Sequence, residues 1–150
     1  MSGLFENVLH VLYGALGAVG FALFFNAKKE KLVWAAVLGA INWTVYLITF
    51  KLTGSIFVSA FTATLAVALL SEVLARKLKA PSVSFYIPAI IPLIPGSSLY
   101  YMMEGMVQED PAKTGAYAYS MLWTILGMGA GCAVVIGLVE MSRRVKQERR

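Results

Sequence analysis

Cysteine, histidine and charged residues are all scarce in this sequence of 150 residues. It has one cysteine, Cys132, and one histidine, His10, so it can form neither an intrachain disulfide nor a zinc site from those ligands alone. Charged residues make up 14% of the chain, against about 25% in soluble domains. We therefore expect no metal and no cofactor, and the composition is not that of a soluble domain.

Sequence motifs of enzymes are also missing. The chain has no phosphate-binding glycine loop and no HExxH motif. Its histidine lies far along the chain from every serine cluster, which leaves an intramembrane hydrolase without a base. The net charge of +5 does not indicate nucleic-acid binding, because the basic residues do not alternate with aromatic residues. We expect neither an enzyme nor a nucleic-acid-binding protein.

What the chain has in abundance is apolar residues, which make up 59% of it and give a mean hydropathy of +0.72. A helix needs about 20 mostly apolar residues to cross the ~30 Å hydrocarbon core of a bilayer. The hydropathy pattern predicts an all-α membrane protein with a single transmembrane domain over residues 1–150. Its five predicted spans are approximately residues 5–26, 32–50, 55–78, 83–107 and 116–142.

Basic residues predict the orientation of these spans. Cytoplasmic loops of membrane proteins are enriched in Lys and Arg. Five spans place all three basic clusters of this chain in the cytoplasm, with the N-terminus outside, whereas four spans would divide the clusters between both faces. The clusters are Lys28, Lys29 and Lys31; Arg76, Lys77 and Lys79; and Arg143, Arg144, Lys146, Arg149 and Arg150.

The fourth predicted span is interrupted near its middle. Pro88, Pro92 and Pro95 lack backbone N–H groups, and Gly96 adds flexibility where a transmembrane helix is normally rigid. Such a break is tolerated only against protein or a water-filled cavity. Broken helices near the bilayer midplane form substrate sites in many transporters. Prolines that merely kink a helix are the simpler alternative.

A second half-helix is predicted after the break. Ser97 and Ser98 are expected to N-cap it, and it would run to Val107. The N-terminus of a helix carries free N–H groups and about +0.5 of an elementary charge, so its natural ligand is a carboxylate or another anion. We therefore predict that the substrate contacts Pro92, Pro95, Gly96, Ser97 and Ser98.

Polar side chains in the second and third spans are further candidates for substrate contact. Ser59 and Thr62 lie on one stripe of the third span, with Thr64 and Ser71 off it. Hydroxyls in membrane helices often bond only their own i−4 carbonyl. Asn42 is costly to bury and either joins two helices or lines a cavity. We predict substrate contacts at Asn42, Ser59 and Thr62.

Ionisable residues inside membrane spans are energetically costly and therefore tend to be functional. Glu104 lies two turns beyond the break and is the first candidate for proton coupling, and Glu72 is the second. A simpler explanation for Glu72 is an i, i+4 ion pair with Arg76.

Small residues recur at helix-packing spacing in the fifth span. Gly129, Ala133 and Gly137 repeat every fourth residue, and Gly127 and Gly131 lie on an adjacent ridge. Small residues let helix backbones approach closely, which predicts tight helix pairing or a subunit interface.

Two motifs together resemble a known family. Residues Ser71 to Pro81 read SEVLARKLKAP, and Ile87 to Gly96 read IPAIIPLIPG, followed after three residues by YYM. These motifs resemble the threonine/serine exporter (ThrE) superfamily. Nearly the whole chain resembles its short form, the small subunit of a split exporter.

The resemblance implies a multi-pass secondary exporter of threonine and serine in the bacterial inner (plasma) membrane. In some members the substrate is a dicarboxylate such as succinate. It also implies a larger partner subunit. The odd number of spans agrees with this, because two related five-helix units of opposite orientation would form an inverted pair. A homo-oligomer and a scaffold that transports nothing are the alternatives. The motif residues are Pro92, Pro95 and Gly96, and more weakly Glu72, Arg76 and Pro81.

Overall fold

The structure, a computed structural model, describes the backbone of residues 2–148 and the side chains of residues 5–141. All the regular elements in this part of the chain are helices. Five stretches are long and apolar enough to cross a membrane, which confirms the predicted all-α fold with five candidate spans. The elements are α1 (Ser2–Phe24), α2 (Lys29–Thr53), α3 (Ile56–Leu78), α4 (Val83–Ile90), a 3₁₀ turn (Ile91–Leu93), α5 (Gly96–Val107) and α6 (Pro111–Glu148).

The last helix begins earlier than predicted. α6 starts at Pro111, more than a turn before the expected residue 116. Proline is favoured in the first turn of a helix, where its missing N–H costs nothing. The Asp110 side chain accepts a hydrogen bond from the Lys113 N–H at 3.0 Å, which caps the helix. Hydropathy detects only the apolar part of such a helix, whereas its capping residues determine where it starts.

α4 lies at the centre of the helix arrangement, packed against α1, α2 and α3. Phe85 and Ala89 of α4 are fully buried and form one cluster with Leu38 of α2 and Val67 of α3. Pro88 lies inside α4 and is buried as well. Protein therefore encloses this half of the fourth span, as an interrupted backbone in a membrane requires.

α5 has a different environment from α4. Its packing partner is α6, which in turn packs against α3. At the 3₁₀ turn that precedes α5, Leu93 is buried with Ala60, Ala63 and Met128. Between Ile90 and Gly96 the chain therefore passes from the centre of the arrangement to its edge.

Glycines make the closest helix contacts. A Cβ atom at Gly127 would lie 2.6 Å from the carbonyl oxygen of Phe57, and one at Gly131 would lie 2.9 Å from that of Phe61. Distances this short leave no room for a side chain, so α3 and α6 touch backbone to backbone. The predicted tight pairing is confirmed for this ridge of the helix.

The adjacent ridge of α6 has no neighbour within the described chain. A Cβ atom at Gly129 or Gly137 would meet nothing within 4 Å, and Ala133 is exposed. This open ridge, Gly129–Ala133–Gly137, is therefore not used for packing inside the subunit. Its role as an interface with another subunit stays a prediction.

Candidate functional site

The interruption between α4 and α5 leaves backbone donors free at the start of α5. The Gly96 N–H donates to the Ile94 carbonyl at 2.7 Å. The N–H groups of Ser97 and Ser98 have no acceptor within the described chain. They lie in the first turn of a helix, at the positive end of its dipole. This turn can therefore donate two hydrogen bonds to an anionic group.

The prediction that Ser97 and Ser98 cap this helix is wrong. The helix begins at Gly96, so the capping position belongs to Pro95, whose side chain has no acceptor atom. The two serines lie one and two residues inside the helix, where their hydroxyls are not placed to cap it. Ser97 is exposed, and the Ser98 hydroxyl lies 3.5 Å from the Ser120 hydroxyl of α6.

Pro92 and Gly96 have different surroundings. The Pro92 ring lies against α1, where a Cβ atom built on Gly17 would come within 3.2 Å of it. A Cβ atom at Gly96 would meet nothing within 4 Å, and the residue is exposed. Internal packing therefore does not require glycine at the first residue of α5, and the space beside it is open.

Asn42 holds α2 to the end of α4. Its side-chain amide donates a 2.9 Å hydrogen bond to the carbonyl oxygen of Ala89, and the residue is fully buried. Ala89 is in the last turn of α4, where carbonyl groups lack helical donors. The Asn42 Oδ1 atom is buried without a partner. Asn42 is thus both a link between helices and a spare acceptor one turn before the interruption.

The hydroxyls of Ser59 and Thr62 bond within the bundle. The Ser59 hydroxyl donates to the Ser55 carbonyl at 2.7 Å. The Thr62 hydroxyl lies 2.9 Å from the Val58 carbonyl and 3.1 Å from the Thr49 hydroxyl. In the described structure no hydrogen bond connects either residue with the start of α5. Bonding to the i−4 carbonyl, the simpler of the two interpretations, describes Ser59, and Thr62 combines such a bond with one to α2.

Glu104 is balanced by a positive charge. Its carboxylate forms an ion pair with Lys113 at 3.0 Å and accepts a hydrogen bond from the Gln108 side chain at 3.1 Å. Both partners lie near the connection between α5 and α6. The carboxylate of Glu104 therefore links α5 to α6 and has its charge neutralised by Lys113.

A cavity of about 190 Å³ lies between α3, α4 and α6, well away from the start of α5. Apolar side chains form most of its wall. Its polar lining residues are Ser71, Glu72, Ser82, Tyr86 and Cys132. Of these residues, the sequence pointed to Glu72 as a functional candidate, whereas Ser71 lies off the predicted polar stripe of the third span. The i, i+4 spacing of Ser82 and Tyr86, which gives them a common face on α4, was the signal that could have located this cavity.

The ion pair with Arg76, given above as the simpler explanation for Glu72, is not formed in the described structure. The ion pair found among the described side chains joins Lys113 to Glu104. Glu72 lines the cavity whereas Arg76 is exposed, so the two side chains are not held together. The neighbouring Ser71 hydroxyl is fully buried and has no hydrogen-bond partner. Opposite them, the Tyr86 hydroxyl and the Cys132 thiol are hydrogen-bonded to each other.

Comparison with known proteins finds a matching family and a similar protein. The threonine/serine exporter family, ThrE, matches residues 10–138. A protein of Haemophilus influenzae described as uncharacterized is 35% identical over 98 residues, which are 65% of this chain and 33% of that protein. The chain thus spans about a third of the length of this curated relative. No solved structure matches.

Proposed function

Because the chain belongs to the threonine/serine exporter (ThrE) family, we propose that it is a subunit of a secondary transporter in the bacterial plasma membrane. The transporter exports small carboxylate-bearing metabolites, with threonine and serine as the expected substrates. Family membership and five apolar helices make the chain a multi-pass membrane protein of a transport family. The observation that carries the proposal is the pair of free N–H groups at the start of α5.

The substrate carboxylate binds at this helix start. It accepts hydrogen bonds from the N–H groups of Ser97 and Ser98, and the open space beside Gly96 leaves room for it. Pro92 and Pro95 keep the backbone from closing into a continuous helix, which would use up those donors. Half-helix N-termini receive the substrate carboxylate in other transporters with discontinuous helices.

Asn42 supports this site by fixing the end of α4 through its bond to Ala89. Ser59 and Thr62 have their hydroxyls occupied by carbonyls of their own helix, so they are left outside the site. Of the two carboxylates considered for proton coupling we favour Glu72, since the charge of Glu104 is already neutralised by Lys113.

The orientation follows the basic clusters, with the N-terminus outside and the C-terminus in the cytoplasm. A unit of five spans then calls for a partner of opposite orientation that completes an inverted pair around the site. The larger partner is a longer member of the same family, and the open ridge of α6 is where its backbone can approach closely. On this proposal the chain alone inserts into the membrane but transports nothing.

Replacing Gly96 by Leu tests the site. A Cβ atom at this position meets nothing within 4 Å, so insertion and assembly should stay normal, while the leucine fills the space beside the Ser97 and Ser98 N–H groups. Efflux of labelled threonine, measured in proteoliposomes that contain both subunits, should be abolished. Gly20→Leu is the matched control, since a Cβ atom there also meets nothing within 4 Å.

Each alternative function predicts its own result. If labelled succinate rather than threonine is exported, the substrate is a dicarboxylate. If Gly96→Leu disrupts assembly but threonine efflux is unchanged, the chain is a scaffold. Threonine efflux by this chain alone would contradict the proposal that a larger partner subunit is needed, and it would require a homo-oligomer.

A further inference from the structure

We propose that the cavity between α3, α4 and α6 is a second binding site, selective for a small organic ammonium group, where an exported amino acid first contacts the protein. The assignment of this step to export rests on the proposed function. The preference of the cavity for a cation rests on the cavity alone.

The cavity has the size and lining of a site for a small metabolite. Its volume of about 190 Å³ is below the ~300–1,000 Å³ typical of pockets for drug-sized ligands. Apolar residues such as Val135 and Ile136 form its walls, and a few polar groups converge within it. Ligand pockets commonly combine an apolar wall with a few placed polar groups in this way.

The charge of the cavity selects the ligand. Glu72 is the one charged residue among the side chains that line it. Arg76, the nearest basic residue along the helix, is exposed and does not line the cavity. A carboxylate beside apolar walls attracts a cation more strongly than it would in water, and it repels an anion. The site therefore accepts an ammonium group and disfavours a second carboxylate.

Ser71 gives an independent reason to expect a ligand. Ser71 is one of the residues that line the cavity, and its hydroxyl is fully buried without a hydrogen-bond partner in the described structure. Buried polar atoms nearly always have a hydrogen-bond partner, supplied by protein, water or ligand. An ammonium group has three donors. It can bond the Glu72 carboxylate, and it bonds the Ser71 hydroxyl as well once that side chain rotates towards the cavity that both residues line.

This site is separate from the start of α5. The cavity contacts Ser82, Val83, Tyr86 and Ile87 at the beginning of α4, and the eight residues of α4 rise about 12 Å before the interruption. One small amino acid cannot reach both places at once. On the side of the cavity away from the interruption, α3 ends in Arg76 and Lys77, so in the proposed orientation the cytoplasm is on that side.

The two sites together define a substrate class. A zwitterion offers an ammonium group to the cavity and a carboxylate to the start of α5. A dicarboxylate such as succinate fits the second site but is repelled by Glu72 at the first. The cavity therefore favours threonine and serine over a diacid as the exported metabolite.

Cys132 makes the cavity accessible to a direct test. It is the only cysteine of the chain and lines the cavity opposite Glu72. Methanethiosulfonate reagents carry either an ammonium or a sulfonate group. In each case the Cys132 thiolate attacks the reagent sulfur, a disulfide forms, methanesulfinate leaves and the thiol proton passes to solvent. The labelling rate, divided by the rate with free 2-mercaptoethanol, reports how strongly the cavity attracts each charge.

With the purified full-length chain in nonionic detergent, the normalised rate should be about tenfold higher for the ammonium reagent than for the sulfonate reagent. Glu72→Gln should remove the difference, whereas Glu104→Gln, which changes a carboxylate outside the cavity, should keep it. Cys132→Ser controls for labelling elsewhere. L-Threonine and ethanolamine should slow labelling of the unmodified chain, and succinate should not.

Equal normalised rates for the two reagents, or protection by succinate, would overturn the proposal. The protection measurement needs no variant, so it decides even if Glu72→Gln fails to fold. Failure of the cavity site can also be distinguished from failure of the proposed function, which the Gly96→Leu variant tests. If labelling does not depend on the charge of the reagent but Gly96→Leu abolishes export, only the cavity site is refuted. If labelling depends on charge but Gly96→Leu leaves export unchanged, only the export mechanism is refuted.

Discussion

The Asn42 side-chain amide donates a 2.9 Å hydrogen bond to the carbonyl oxygen of Ala89, 47 residues further along the chain. This bond joins the middle of α2 to the last turn of α4, immediately before the interruption. Because Asn42 is fully buried, water does not compete for the bond. The end of the first half-helix is therefore fixed by a side chain as well as by packing.

Removing this bond should destabilise the fold. Asn42→Ala is expected to lower the free energy of unfolding by about 1–2 kcal/mol, since the Ala89 carbonyl loses an interhelical donor in an apolar environment. The measurement is an SDS titration in mixed micelles. Thr44→Ala is the control, because Thr44 is exposed and bonds only the Ala40 carbonyl of its own helix. Equal losses for the two variants would show that the interhelical bond contributes nothing.

Two glycines of α6 that lie two residues apart should respond differently to the same substitution. Gly127→Val places a side chain against the Phe57 carbonyl and should destabilise the chain by about 1–3 kcal/mol or more. Gly129→Val meets open space and should leave the unfolding free energy unchanged. The same SDS titration measures both. If both variants were equally destabilised, the packing of α3 on α6 would not be the one described.

The ion pair between Glu104 and Lys113 should contribute little stability. The Lys113 and Glu104 side chains are 26% and 32% exposed, and partly exposed pairs are typically worth about 0–1 kcal/mol. A double-mutant cycle with Glu104→Gln and Lys113→Gln should give a coupling energy in this range. Threonine efflux by the Glu104→Gln complex should stay close to that of the unmodified complex. Loss of efflux without loss of stability would make Glu104 the coupling carboxylate instead of Glu72.

Labelling from each side of the membrane tests the predicted topology. In a Cys132→Ser background, a cysteine at Thr114 lies at the start of α6 and one at Gln147 lies at its other end. A membrane-impermeant maleimide should reach the first from outside and the second from the cytoplasm. Access to both positions from the same face would be incompatible with five spans.

Sequence alone predicts the spans of this protein because a bilayer imposes a length and an apolar composition on every helix that crosses it. The interruption at Pro92 and Pro95 could be anticipated for a related reason, since proline removes a backbone donor wherever it occurs. The spans follow from the hydropathy averaged over a short stretch of sequence, and the interruption follows from single proline residues. Neither requires knowledge of what lies beside a helix.

Predictions that depend on a neighbouring helix could not be made in this way. Gly127 and Gly129 belong to equivalent small-residue patterns, yet one touches α3 and the other faces open space. The i, i+4 spacing of Glu72 and Arg76 predicted an ion pair, but the position of α4 and α6 turns Glu72 towards a cavity instead. Ser71 lies off the predicted polar stripe of the third span, and its complete burial depends on how the helices pack around it.

The passage of the fourth span from the centre to the edge of the bundle also has a consequence for synthesis. α4 packs chiefly against α1, α2 and α3, all of which leave the ribosome before it. α5 packs against α6, which leaves after it. Since proteins fold from the N-terminus as they are made, α4 can dock at once, while α5 waits in contact with lipid until the last helix arrives. The interruption at Pro95 and Gly96 thus separates an early folding unit from a late one.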